Sequence, residues 1–341
     1  MCFYPRDVRA GCSRFAAIGL VLLLLSVGCK QQEAPKQEVV ALESVSICYG
    51  APALVPMVVA EKQGFFSKQG LAVTAREFVM GRDALESMLK GECDLATAAE
   101  PPVVEYALQR DDFRIISAMQ SSDNMIRIVS RADRGIAAPK DLRGKRIGTV
   151  KGTNAHYFVE LFLAKHGLSP KEVAIAFMKS DELLGALTSG QVDAIAMTSK
   201  VIIQTQEALQ DKAVLMEEPG LYRNFLMLLV TTDLLKKRPV VAEKFLRALA
   251  QAEDFIRQHP DAAQACVLAS KQASSGEIKQ LLESYQYQVS LDHALLMGLE
   301  DTARWTLAQT GDSQRPVPNF LNLIAAEPLR TVKPDAVRLE Q

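Results

Sequence analysis

Asp83-Ala84-Leu85-Glu86-Ser87-Met88-Leu89-Lys90-Gly91-Glu92-Cys93-Asp94-Leu95-Ala96-Thr97-Ala98 decides the fold, because it occurs twice in outline. Adding 99 to each position gives Glu182 to Met197. Asp83 then matches Glu182, Met88 matches Leu187, Gly91 matches Gly190 and Asp94 matches Asp193. Each copy has an acidic helix start, an apolar face, a glycine stop and an aspartate leading into a buried strand. Two α/β halves of one plan therefore stand in tandem.

Around the first copy, strands and helices alternate. Val45 to Tyr49 reads as a strand, Val58 to Lys62 as helix, Leu71 to Phe78 as strand and Phe113 to Met119 as strand. Around the second copy, Arg146 to Val150 and Val173 to Met178 read as strands, and Asn154 to Lys165 as a helix stopped by Gly167. Alternation of this kind predicts mostly parallel sheets flanked by helices. Ile126 to Ser130 and Phe225 to Val230 read as extended apolar segments where the chain passes between halves. From Asp233 to about Gly311 the pattern is mostly helical.

The whole chain has 341 residues, enough for two domains, with 48% hydrophobic and 23% charged residues. Lys plus Arg is 39 against 40 Asp plus Glu, so no basic surplus argues for nucleic acid. The N-terminus is a leader. Arg6, Arg9 and Arg14 precede an apolar run from Phe15 to Val27, too short for a spanning helix and suited to a signal peptide. The run ends in Leu25-Ser26-Val27-Gly28-Cys29, which resembles a lipobox, with Ser26 where that motif usually has Leu. Cys29 is thus the expected lipidation site and the membrane anchor. Without residues 1–28 the balance is 36 against 39, a net of −3. Cys48, Cys93 and Cys266 then remain, an odd number with no metal-ligand spacing. Cys48 and Cys93, at different heights on neighbouring parallel strands, are expected to stay unbridged.

Four stretches, two of them inside the repeat, carry a family resemblance. They are Ala60-Glu61-Lys62-Gln63-Gly64-Phe65-Phe66 with Gly70-Leu71, Met88 to Asp94, Asp141-Leu142-Arg143-Gly144-Lys145-Arg146-Ile147-Gly148, and Leu187 to Ala194. Together they resemble the type II periplasmic solute-binding proteins of the nitrate, sulfonate and taurine group of ABC importers. The resemblance implies two lobes joined by two hinge crossings, a cleft between them, and closure on a small ligand. It also implies partnership with a permease and ATPase, a monomer, and no cofactor or metal. The expected layout is a signal peptide over 1–28 and a tether over 29–43. Lobe 1 takes 44–127 and 228–325, lobe 2 takes 128–227, and 326–341 is a tail.

In open α/β sheets ligands sit beyond the carboxyl ends of the strands. That rule selects Tyr49, Gly50, Ala99, Glu100 and Pro101 in the first half, and Thr153, Asn154, Ala155, His156, Thr198 and Ser199 in the second. Arg223, near the return crossing, is a further candidate. Helix N-termini at these turns favour an anionic group. The turn Thr153 to Tyr157 resembles the His-containing turn of sulfonate and taurine binders, which implies a tetrahedral oxyanion on Thr153 and His156. Glu100 departs from that pattern and suits a ligand that also carries an ammonium group. Each residue also has a plain structural role: His156 bonding its own backbone, Thr153 as a helix cap, Glu100 serving its helix start.

Three rival functions are open. Some proteins of this architecture are enzymes, including pyrimidine-forming ones with a cysteine-rich motif; here Cys93 stands alone. No Gly-x-Ser-x-Gly elbow, P-loop or paired histidine spacing occurs. A pyrimidine binder would need aromatic plates, and only 6% of residues are aromatic. A sensory role with the same ligand leaves no mark in the sequence.

Overall fold

In a computed structural model, which describes residues 41–270 and 274–339 apart from the side chains of Ser199 and Lys200, the chain builds two sheets. The leader, Cys29 and most of the tether lie outside the described residues. β1 (Glu43–Gly50) pairs in parallel with β2 (Leu71–Phe78) and with β3 (Leu95–Ala98). β4 (Phe113–Ser122) follows, and the chain then crosses through residues 123–125. β5 (Ile126–Arg131), β6 (Arg146–Thr149), β7 (Ala174–Phe177), β8 (Ala194–Thr198) and β9 (Ala213–Met216) form the second sheet. Residues 217–223 lead back to β10 (Asn224–Thr231), and β11 (Gln286–Asp292) and β12 (Val337–Arg338) complete the first sheet. The strand orders are β12-β11-β4-β10-β3-β1-β2 and β7-β6-β8-β5-β9. Each sheet has its own apolar core.

The repeated stretch does the same work in both lobes. Its helices are Gly81–Leu89 and Leu183–Ser189, and its strands are β3 and β8. Gly91 and Gly190 both take left-handed backbone, at φ 82° and 79°, which a side chain would resist. Asp94 accepts the Ser46 N–H of the neighbouring strand at 2.8 Å, and Asp193 accepts the Arg146 N–H at 2.9 Å. The aspartates therefore satisfy strand N–H groups that the ladder leaves open.

Parallel pairing joins β2-β1-β3 at one end of the first sheet and β11-β12 at the other, and β7-β6-β8 in the second sheet. The strands flanking the crossings run antiparallel: β10 against β3 and β4, and β5 against β8 and β9. β10 is buried along all but its last residue, as its run of apolar side chains requires of a central strand. The helical C-terminal part contains one strand, β11, whose Gln286 to Leu291 alternates polar and apolar residues ahead of its buried end. The expected tail is folded rather than free, since Glu327–Val332 is helical and β12 pairs with β11.

One expectation is overturned. Cys48 and Cys93 form a disulfide, with Cα atoms 5.9 Å apart. Cys48 is in register with Ala96, three residues past Cys93, so straight strands would separate them by about 10 Å. Cys93, however, lies before β3 begins, where the chain is still turning out of Gly91 and back towards β1. Cys266 is half-buried and free. No described helix is long and apolar enough to cross a membrane.

Candidate functional site

The carboxyl ends of β1, β2 and β3 in one lobe and of β6 and β8 in the other open onto a shared cleft. It holds two adjoining cavities. The smaller, of about 50 Å³, is walled by the turn after β2 (Val79 to Arg82), by Ala99 and Pro102, by Thr153, Asn154 and Thr198, and by Asn224. The larger, of about 90 Å³, is more apolar and includes Leu54, Met197, Val201 and Leu281, with Tyr285, Glu77 and Glu277 in its wall. Pro52, Val79, Met125 and Thr198 border both.

Among the described residues, the smaller cavity carries the one Lys or Arg side chain of the two cavity walls, Arg82. Arg82 donates to Glu105 at 2.6 Å and reaches across the lobes to the Gly152 carbonyl at 3.0 Å. Burial pushes the guanidinium's pKa down, but the hydrogen bond and charge of Glu105 outweigh this and hold it above its ordinary value. It is therefore a fixed cation. The helices Gly81–Leu89, Asn154–Lys165 and Ser199–Leu209 all begin at this cavity, and their N-terminal dipoles add to its attraction for an anion.

The residues expected at the strand ends separate into two groups. Ala99, Thr153, Asn154 and Thr198 line the cleft. Thr153 caps its helix, its hydroxyl donating to the Val150 carbonyl at 2.7 Å and accepting from the His156 N–H at 3.5 Å. Asn154 accepts from the Ala155 N–H at 3.0 Å. Gly50 sets the floor. A Cβ there would come within 2.8 Å of the Gly81 backbone, so a glycine lets the turns after β1 and β2 meet. Pro101 and Ala155 point into the interior. Tyr49 faces a separate cavity behind the Leu54–Lys62 helix, with Met57 and Phe66. Arg223 lies on the outer side of the crossing, bonded to Ser121 at 3.1 Å and Gln286 at 3.1 Å. The Ser199 side chain is outside the described set.

Glu100 and His156 differ most from expectation, since neither stands on an exposed turn. Glu100 is fully buried. Its carboxylate accepts from Phe225 N–H at 2.8 Å, Asn224 Nδ2 at 2.7 Å and Tyr222 O–H at 3.0 Å. Burial raises its pKa to about 7, against those hydrogen bonds. It clamps the returning crossing and sets Asn224, which does reach the cavity. His156 is 2% exposed and packs edge-on against Phe177 and Trp305, with Nε2 3.3 Å from Glu160.

The strand-end rule applied to β2 would have found Arg82. Met125 and Tyr285 had no such signal, because they enter the cleft from a crossing and from the segment between a helix and β11.

The chain spans about 63% of the length of putative binding proteins of Brucella abortus, to which it is 22% identical over 60% of its own length. It is 27% identical to a putative aliphatic sulfonates-binding protein of Bacillus subtilis, over 62% of this chain and 65% of that one. Its fold matches that of the alkanesulfonate-binding protein of Xanthomonas axonopodis pv. citri, solved with MOPS bound. The TM-score there is 0.70 at 20% identity, over 83% of this chain and 98% of the other. A family model matches residues 51–263, well over half the sequence, and the chain belongs to the NMT1/THI5-like family.

Proposed function

We propose that this chain is the solute-binding component of an ABC-type importer and captures a small oxyanion, of the sulfonate, taurine or nitrate kind, between its lobes. The observation that carries this is Arg82, a buried-edge cation in a cleft where three helix N-termini converge. Asn154, Thr153 and Thr198 supply the facing polar wall. Glu100 and His156 act behind that wall rather than on the ligand. The similarity to a sulfonates-binding relative agrees with this chemistry.

The protein is exported, anchored through lipidated Cys29, works as a monomer and hands its ligand to a permease and ATPase. It binds rather than catalyses, in line with relatives named as binding proteins. Ligand closure works only through contacts that differ between open and closed states.

The test is a thermal-shift screen of residues 30–341 against taurine, alkanesulfonates, nitrate, bicarbonate, aminopyrimidines and amines, repeated with Arg82→Gln. Ligand at 100 times its Kd adds ~2.7 kcal/mol, a clear shift. An oxyanion is expected to bind, and Arg82→Gln to weaken it roughly 10- to 100-fold. Binding confined to aminopyrimidines or amines, or oxyanion binding indifferent to Arg82, would overturn the reading.

A further inference from the structure

The larger cavity contains a hydroxyl with a poor partner. Tyr285 is 6% exposed, and its O–H points at the Met125 thioether, 2.9 Å away. A thioether is among the weakest acceptors a protein offers. Beside it, Gln120 is 1% exposed. Its Nε2 donates to the Pro52 carbonyl at 2.9 Å, while its Oε1 has no hydrogen-bond partner among the described residues. Burial raises the Tyr285 pKa, with Gln120's amide opposing, so the phenol stays protonated and remains a donor. Buried polar groups are seldom left this way without a missing partner.

Pro52 and Met125 are also where the two cavities meet. A ligand whose anionic group sits by Arg82 would run past them into the apolar space and end near Tyr285. We propose that Tyr285 is a specificity-determining residue, which donates its hydroxyl proton to a second oxygen at the far end of the ligand. The ligand class is then a small organic oxyanion with a hydroxyl or ether oxygen remote from the charge, rather than a plain alkyl anion. This rests on the oxyanion reading of the smaller cavity. The ligand oxygen replaces the Met125 sulfur as acceptor. An analogue with a methyl group there leaves Tyr285 on its thioether and gains nothing from it.

The experiment is calorimetric titration of wild type and Tyr285→Phe with matched pairs: 3-hydroxypropane-1-sulfonate against butane-1-sulfonate, and 4-hydroxybutane-1-sulfonate against pentane-1-sulfonate. Wild type is expected to favour the hydroxylated member of one pair by about tenfold. Tyr285→Phe, which removes one oxygen from the cavity wall, is expected to lose that preference and keep its affinity for the alkyl member. Equal affinity within both wild-type pairs, or a preference that survives in Tyr285→Phe, overturns this role while leaving the oxyanion site standing. Failure of every sulfonate to bind wild type overturns this proposal, and the oxyanion reading falls with it if taurine, nitrate and bicarbonate also fail.

Discussion

Trp305 donates its indole N–H to Glu160 at 2.7 Å, and that bond crosses from one lobe to the other. Trp305 belongs to the His293–Gln309 helix, which packs on the lobe of the larger sheet. Glu160 belongs to the Asn154–Lys165 helix, whose first residues line the cleft. Gln309 from the same first helix donates to both Glu160 oxygens, at 2.9 and 3.0 Å. Burial pushes the Glu160 pKa up, but hydrogen bonds from His156, Trp305 and Gln309 outweigh it and hold the carboxyl below its ordinary value. The carboxylate is therefore charged in the neutral range, and it ties the lobes together outside the walls of the two cavities.

Glu160→Ala is expected to weaken ligand binding although residue 160 is not in the cavity wall. Hydrogen bonds to a charged group each contribute about 1.5 kcal/mol or more. Losing these from the closed state lowers affinity roughly tenfold or more. Trp305 is the single tryptophan, so its emission reports the contact directly. The variant should emit at longer wavelength when empty and shift back on ligand addition. Identical emission and affinity in the variant and wild type would remove Glu160 from any part in closure.

Glu100 predicts a pH dependence with a definite sign. Its carboxyl keeps a proton up to about pH 7 when folded, against 4.5 for an ordinary glutamate. Between those values the folded chain binds more proton than the unfolded chain, so stability falls as pH rises. The contribution is fully present below pH 4.5 and is lost through pH 7. Its slope reaches about 1.4 kcal/mol per pH unit. Glu100→Gln should flatten this part of the profile. The check is urea midpoints of both proteins at pH 5 and 7.5. Parallel profiles would mean that Glu100 is ionised throughout.

The contrast between Glu100 and its neighbour Ala99 also marks how far the sequence could be read. The tandem halves were visible in the 99-residue offset, and Asp94 and Asp193 do in space what their matched positions implied. The strand-end rule selected turns that border the cleft. It did not say which side chains of a turn face the cleft. A helix start rotates by about 100° per residue, so Ala99 and Pro102 share one side while Glu100 and Pro101 face the interior. The turn at Thr153 divides in the same way, with Asn154 outward and His156 inward. Long-range pairing was less legible still. The apolar run of β10 announced burial but not its antiparallel direction, which depends on strands more than 100 residues earlier.

The Cys48–Cys93 bridge yields the last prediction. It closes a loop of 45 residues and fastens β1, two residues before Gly50, to the turn before β3. In the chain-entropy account a loop of that length contributes roughly 4 kcal/mol, by limiting the unfolded chain. Both positions are buried, so the double variant Cys48→Ala, Cys93→Ala adds a small packing loss to that. Residues 30–341, denatured without reductant, should therefore titrate a single thiol, that of Cys266. The double variant should unfold at lower temperature than wild type, and dithiothreitol should lower the wild-type transition towards it. Three titratable thiols in the oxidised protein would show that the pair stays reduced, as strand spacing alone suggested. A single thiol would support folding in an oxidising compartment, where such bridges persist, and so would add independent weight to export.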